Sequence, residues 1–427
     1  MTTYPLNTST SPTGDNTPLA GYNSASAWDT TSDATYHFAG YKYLRQNCTD
    51  SAAAGTAFST GQKTYNGAIN WANSPATVGA PLVTIAELAK ADGKKVGVVT
   101  TVPWSHATPA TLGGAHNLLR SNYSAIANEM LNSSTLDVIM GCGNPDYDPV
   151  GAPAATKDYQ YVGGQATWDA LKAGTLAGGW SLVQSKAEFE ALVTGPTSAR
   201  VVGTAQVGMT LQQQRTTTQD WNGNGTINDA DKLVAPAYGD SFLSTVPTLT
   251  TMTRGALNVL DGSPGGFFLH VEGGAVDWAA ESNQAGRAIE EMADFNDAVQ
   301  AVVDWVSINS NWNETLLLVT TDHGTGQPYG PDSATVAFDP IGNNGAGNMP
   351  GVRWESSQHD NELVPLYARG VGADLLQGLL DGTDPIRDAF VDNTDVYGVM
   401  YAVMPEPGAL GLLAMGMAGL ALRRRRH

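Results

Sequence analysis

Helical and strand-like patterns of apolar residues alternate through the middle of the chain. Val83 to Ala91 repeats its apolar positions at helical spacing, and after Gly93 the run Val96 to Thr101 reads as a strand. Tyr123 to Leu131 predicts a second helix, followed by a strand over Leu136 to Met140 that ends at Gly141. Thr248 to Leu260 predicts a helix before the strand Gly266 to Val271. Ala288 to Val306 is a long amphipathic helix leading into the strand Thr315 to Thr320. Such alternation predicts an α/β fold: a mainly parallel central sheet with helices on both faces. Ligands of such sheets bind at the carboxyl ends of the strands, so polar residues that directly follow a strand are the first candidates for chemistry.

The two ends break the pattern. Met1 to Asn47 is rich in Thr, Ser, Asn, Gly and Pro, with no basic region followed by an apolar core, so no signal peptide is legible. At the other end Met404-Pro405-Glu406-Pro407 precedes an uncharged apolar run from Gly408 to Leu422, closed by Arg423, Arg424, Arg425 and Arg426. The run is shorter than the ~20 residues of a comfortable spanning helix. The arginines behind it form a stop-transfer signal that stays cytoplasmic, and four in a row would not pack as the end of a core helix.

The 427 residues suffice for one large α/β domain or two ordinary ones, and 42% hydrophobic content supports a substantial core. Acidic residues outnumber basic ones 41 to 22, a formal charge of −19. That excludes nucleic acid as a partner, because a phosphate backbone needs a basic surface. It suits carboxylates neutralised by metal ions, and equally the solubility of an exported protein. Two cysteines, Cys48 and Cys142, define neither a disulfide framework nor a thiolate metal site, and they could pair in an oxidising compartment.

Candidate chemistry starts at Asn47-Cys48-Thr49-Asp50-Ser51, which heads a run of tiny residues through Ala57. A small-residue run opening a helix lets backbone and anionic ligands approach, and the helix N-terminus offers unpaired N–H groups and the positive end of a dipole. Ser51 is a candidate nucleophile once something activates it; as an isolated feature, Asp-Ser reads as a helix cap. Two further clusters follow predicted strands: Glu272-Gly273-Gly274-Ala275-Val276-Asp277, and Asp322-His323. His359 precedes the short apolar segment Leu363 to Tyr367. Carboxylate and imidazole suit zinc, and carboxylate with hydroxyl suits magnesium. Three such clusters at the strand ends of one sheet point to a metal centre.

A separate signal runs from Asp220 to Asp231. Asp220, Asn222, Asn224, the Thr226 carbonyl and Asp231 alternate as oxygen donors, with Gly225 at the sixth position of a calcium loop. The last ligand is Asp where sensor loops carry Glu, and the loop resembles the dockerin type. As a single copy it reads as a staple for an insertion; the bland alternative is an Asn/Gly-rich surface turn.

Asp50-Ser51-Ala52, His106-Ala107-Thr108-Pro109-Ala110, Val271-Glu272-Gly273-Gly274 with Asp277, Thr321-Asp322-His323, and His359 with Val364-Pro365 resemble, in order, the motifs of the alkaline phosphatases. The resemblance spans about Tyr36 to Ala373. It implies that Ser51 becomes phosphoserine and that Asp322 and His323 hold a zinc that activates it. Asp277 and His359 then belong to a second zinc, and Thr108 and Glu272 to a magnesium site. Arg120, four residues after His116, would grip two phosphate oxygens, a task suited to its planar fork. Small phosphomonoesters are the implied substrates, and a homodimer is the implied assembly.

The chain departs from the family twice. Four residues after Asp277 the family's second zinc takes histidine, and here Glu281 stands at that position. A carboxylate gives the metal more charge and predicts a weaker zinc site or a different metal. The family also begins with a strand whose aspartate bridges zinc and magnesium, and no such strand precedes Ser51; Asp15 has nothing apolar before it. With no signal peptide legible, the expectation is a sequence that begins downstream of the true start, with a pseudoenzyme as the alternative. Little turnover is expected of this form.

The last two dozen residues resemble the PEP-CTERM sorting tail of Gram-negative bacteria, which implies export to the envelope or beyond and membrane contact before processing. The expected organisation is a phosphatase-like domain over 1–403, carrying the calcium loop at 220–231, and a sorting tail over 404–427. Two rival readings remain. One is a phosphodiesterase of the same superfamily, against which a phosphate-gripping arginine argues. The other is an inactive, calcium-stabilised envelope protein that keeps the fold. A sulfatase is excluded, since Ser51 is followed by alanines where that class needs Pro and Arg.

Overall fold

A computed structural model describes residues 1–6, 19, 21–73 and 79–404. The sorting tail, apart from Met404, and the segment around Asp15 lie outside the described residues. The central elements are helix α1 (Ser51–Thr60), α2 (Ile85–Ala91), strand β1 (Lys95–Pro103), α3 (Ala107–Leu112), α4 (Tyr123–Asn132) and β2 (Val138–Cys142). They continue with α5 (Gln165–Lys172), β3 (Trp180–Val183), α6 (Lys186–Leu192), β4 (Arg200–Thr204), α7 (Leu249–Asp261) and β5 (Phe267–Glu272). Next come α8 (Ala275–Glu281), α9 (Ala285–Asn309), β6 (Leu316–Thr320), the short strands β7 (Gly324–Thr325) and β8 (His359–Asp360), β9 (Leu366–Gly370), and α10 (Thr394–Ala402).

Five strands form one parallel sheet in the order β3-β4-β2-β1-β5, and its two faces are both covered. Side chains alternate across a strand with period two, and the core clusters follow that rule. Val98, Ile139 and Val202 pack with α2, α3, α4 and α5 on one face, while Val99, Val138 and Val201 pack with α6, α7 and α9 on the other. The helices start where their side chains can cap them: Thr84 before α2 and Ser185 before α6 form capping boxes, and Thr248 caps α7.

The sheet is shorter than the apolar pattern predicts. Strand β6 is not in it: β6 pairs antiparallel with β9, Leu316 opposite Gly370 and Thr320 opposite Leu366. Among the described residues no strand pairs with the outer edge of β5 or of β6. Side chains bridge the two pieces, with Phe268 of β5 packing in one cluster with Leu318 and Leu366. The expectation of three clusters on one sheet is therefore corrected: they stand on β5, on β6 of a second small sheet, and on the two-residue β8. A strand's pairing partner is set by tertiary packing and is invisible to a period-two pattern.

The segment carrying the calcium-loop pattern is tied to α9 by charges taken out of water. Arg215 pairs with Glu290 at 2.9 Å and Arg287 with Asp240 at 2.6 Å, and all four side chains are no more than 2% exposed. The carboxylate of Asp240 also accepts from Thr218 N and from the indole N–H of Trp221 inside the loop. Cys48 and Cys142 are both free thiols, and Cys142 is buried at the end of β2.

Candidate active site

The serine stands at the first turn of α1, with Asp50 as its N-cap: the Asp50 carboxylate accepts from Ala53 N at 2.9 Å. The tiny-residue run has a packing reason. A Cβ on Gly55 would lie 2.2 Å from the Thr111 hydroxyl, so α1 and α3 approach more closely than a side chain at that position permits. That contact holds the head of α1 against the carboxyl end of β1. The second Asp50 oxygen accepts from Gly67 N and from the Arg120 guanidinium, both at 3.0 Å. One carboxylate thus caps the helix and fixes the arginine beside it.

Around Ser51 the predicted residues converge. Ser51 Oγ lies 3.0 Å from His323 Nε2, and the same nitrogen is 3.2 Å from Asp322 Oδ2. The rings of His323 and His359 stack with centroids 3.6 Å apart. His359 Nε2 is 3.7 Å from Asp277 and 3.3 Å from Glu281, while its Nδ1 faces the Thr49 carbonyl at 2.9 Å. Asp277, His323 and His359 offer ligand atoms within 4.8 Å of one another. Glu272 closes β5 and accepts from the hydroxyls of Thr100 and Thr108. Glu272 closes β5, Asp277 lies in the first turn of α8 and Glu281 ends it, Asp322 and His323 follow β6, and His359 opens β8.

The electrostatics fit cations. Burial works against the charge on Asp322, yet His323 outweighs it and holds the carboxyl well below the usual range. The same pair pushes His323, despite its burial, up to about 9. Burial pushes Glu272 up to about 7, with the Thr100 hydrogen bond pulling the other way and Asp322 adding repulsion. Burial also raises Asp277. Asp322 Oδ2 is buried and meets His323 Nε2 at 3.2 Å. Carboxylates crowded out of water, with imidazole nitrogens among them, are a donor set suited to divalent metal ions.

Some members of the site were given no role in the sequence reading. Thr325 donates to Asp277 at 2.5 Å and faces His323 Nδ1 at 3.3 Å, steering both groups. Its one signal was its place two residues after Asp-His. His106 lies beside Arg120 and stacks on Tyr123, and burial, with the neighbouring cation, pushes it down to about 3, so the ring is neutral. The calcium-loop residues lie apart, after β4. There Asp220 accepts from Asn224 N and Gly225 N, and the buried Asp231 accepts from Asn222 N and Asn228 N.

The comparisons with known proteins agree with this geometry. The model of the alkaline phosphatase family matches residues 25–349, and that of the PEP-CTERM protein-sorting motif matches residues 405–426. Alkaline phosphatase 3 of Bacillus subtilis is 32% identical over 66% of the chain and 50% of its own length. The alkaline phosphatase of Escherichia coli K12 is 29% identical over 79% of the chain and 72% of its own. The chain spans about half the length of the Bacillus relatives it matches. Among solved structures, the cold-active alkaline phosphatase of a psychrophilic Shewanella superposes with a TM-score of 0.58 at 25% identity, covering 85% of this chain and 88% of that one. No helix of the described residues is long and apolar enough to cross a membrane. On the match to its middle three quarters and on its fold, this chain belongs to the alkaline phosphatase family.

Proposed function

We propose that the chain hydrolyses phosphomonoesters through Ser51 with the help of divalent metal ions. The observation that carries this reading is Ser51 Oγ at a helix N-terminus, 3.0 Å from His323, with Arg120 clamped alongside by Asp50. Asp277, Glu281 and His359 would hold one zinc, Asp322 and His323 a second, and Thr108 with Glu272 a magnesium. When bound, such ions neutralise charge on the attacking and leaving oxygens of an in-line displacement. The chain's own groups supply the rest. Arg120 and the free N–H groups of α1 orient the phosphoryl group. Ser51 Oγ gives its proton to solvent and forms the bond to phosphorus as the ester P–O bond breaks, and the departing alkoxide takes a proton from water to leave as the alcohol. Water then cleaves phosphoserine, returning Ser51 and releasing phosphate.

The test is hydrolysis of an aryl phosphomonoester and of the matched diester by the full chain supplied with zinc and magnesium. Monoester turnover that chelation removes supports the reading. Faster turnover of the diester, or neither turnover nor binding of inorganic phosphate, overturns it.

Glu281 is the departure with a measurable consequence. Its carboxylate contacts His359 Nε2 and is held charged by it. Glu281→His is expected to raise zinc retained after dialysis and to raise kcat; unchanged metal content and rate would show that Glu281 is not a ligand. The loop 220–231 is proposed to bind calcium and to staple the segment that carries it. Calcium at about 100 times its Kd would then add about 2.7 kcal/mol to stability. The melting temperature should rise with calcium over chelator in the wild type and stay flat in Asp220→Ala. Equal shifts in both would refute a calcium site. The organisation that follows is a catalytic domain through residue 403 and a tail, 404–427, that directs export.

A further inference from the structure

Residues 48–50, which lead into the nucleophile, belong to no helix or strand until Ser51 opens α1. They have no ladder of backbone bonds to fix them, and the side chain of Asn66 grips both their ends. Asp50 N donates to Asn66 Oδ1 at 3.1 Å, and Asn66 Nδ2 donates to the Cys48 carbonyl at 3.0 Å. One amide thus brackets Thr49. A backbone N–H only donates and a carbonyl only accepts, so the two bonds together need an acceptor and a donor on one carbon. Asparagine carries that pair, and ionised aspartate lacks the donor.

Asn66 stands in a turn that is itself fixed to the arginine. Ala68 N closes the turn on the Tyr65 carbonyl at 3.2 Å, and Gly67 within it has a φ of 88°, in the left-handed region that glycine tolerates. Gly67 N donates to Asp50 Oδ2, which also accepts from Arg120 Nη1, and Arg120 N donates to the Gly67 carbonyl at 2.7 Å. Beyond the turn, Ile69 and Asn117 exchange backbone bonds at 2.9 Å. Before it, the buried Tyr65 donates its hydroxyl to the Leu118 carbonyl at 2.8 Å. The turn is therefore anchored on segment 117–120, and from there its Asn66 side chain holds the backbone of the nucleophile loop.

Three groups of the site depend on that hold. Asp50 is the cap of α1, so the bond from its N–H fixes the entry of the helix whose first residue is Ser51. The bracketed Thr49 carbonyl faces His359 Nδ1 at 2.9 Å and turns the Nε2 of that ring toward Asp277 and Glu281. Arg120 is tied to Gly67 of the same turn. In-line attack needs Ser51 Oγ in register with the phosphoryl group that Arg120 grips, and a misplacement of about 1 Å costs about 10²-fold in rate. We propose that Asn66 is a positioning residue that sets the register of Ser51 against Arg120. It acts through the backbone of residues 48–50 and touches no reacting atom. This rests on the phosphatase reading.

The test compares two quantities in the full-length chain loaded with zinc and magnesium. One is the rate at which label passes from an aryl phosphomonoester to Ser51 in a single turnover; the other is the calorimetric affinity for inorganic phosphate. Asn66→Ala is expected to slow the transfer about 10- to 100-fold and to leave phosphate affinity within about threefold. Affinity is kept because the bonds of Arg120 to Asp50 and Gly67 use no atom of the Asn66 side chain. Tyr65→Phe is the control for general loosening, since it takes one bond from the same turn and none from the nucleophile loop. It should lower the melting temperature while transfer stays fast. Asn66→Ser, whose hydroxyl is too short to span Asp50 N and the Cys48 carbonyl, makes the same measurement if Asn66→Ala does not fold. A transfer rate reduced by less than about tenfold overturns the positioning role and leaves the phosphatase reading standing. So does a parallel fall of rate and phosphate affinity, or a slowing that Tyr65→Phe matches. A wild-type chain that takes no label on Ser51 takes down the phosphatase reading and the role of Asn66 with it.

Discussion

Ser51→Ala is expected to reduce phosphomonoester turnover to the uncatalysed background, a fall on the order of 10³-fold or more. The substitution removes one oxygen. It leaves the Asp50 cap intact, because Asp50 bonds Ala53 N and not the serine side chain, and it leaves Arg120 clamped. It also leaves the donors of Asp277, Asp322, His323 and His359 in place, so metal content and melting temperature should be those of the wild type. Phosphate binding should survive for the same reason. The expected split, binding kept and turnover lost, is the signature of a nucleophile. Label from a phosphomonoester should appear on the peptide holding Ser51 in the wild type and be missing from the variant. Turnover within tenfold of the wild type would show that water attacks directly and that Ser51 is a helix-opening residue only.

Arg287→Ala is expected to have the largest effect on stability. Arg287 and Asp240 are 2% and 0% exposed and pair at 2.6 Å, next to Arg215–Glu290. Deleting the arginine takes away the direct partner of the buried Asp240 and one of the two partners of Glu290, with Arg215 left as the neighbouring cation. Breaking a buried pair in this way costs about 3–5 kcal/mol. The pair itself is not the source of that figure, since desolvating two charges consumes most of what their attraction returns. The double variant Arg287→Leu/Asp240→Leu should therefore be much less destabilised than Arg287→Ala alone. Chemical denaturation measures both. Because Asp240 accepts from Trp221 within the proposed calcium loop, Arg287→Ala should also weaken calcium-dependent stabilisation. A loss below about 1 kcal/mol would mean that water reaches Asp240, as at an exposed pair.

Much of the site was legible because the chemistry sits next to strong local signals. Asp322-His323 follows Leu316–Thr320, and Glu272 closes Phe267–Glu272; apolar runs are easily read, and the residues after them inherit that legibility. The alternation predicted the parallel sheet, and its two covered faces follow from Val98 and Val99 pointing opposite ways. What escaped reading are contacts between residues far apart in the chain. Thr325 steers Asp277 across a sequence gap of 48 residues, and Asp50 holds Arg120 across 70. No periodicity or spacing encodes such pairs. The separation of β6 from the parallel sheet was hidden for the same reason, since Leu-Leu-Leu-Val reads as a buried strand whichever neighbour it pairs with.

By itself the amino-acid order determined which residue types stand at which strand ends, because hydrophobic period and turn chemistry are local properties of the chain. It also determined the candidate ligands Asp277, Asp322, His323 and His359 and the candidate nucleophile Ser51. Only the tertiary structure decided that Ser51 reaches His323 and that Asp50 clamps Arg120. Those are distances between segments brought together by packing, and packing is settled by the whole core at once.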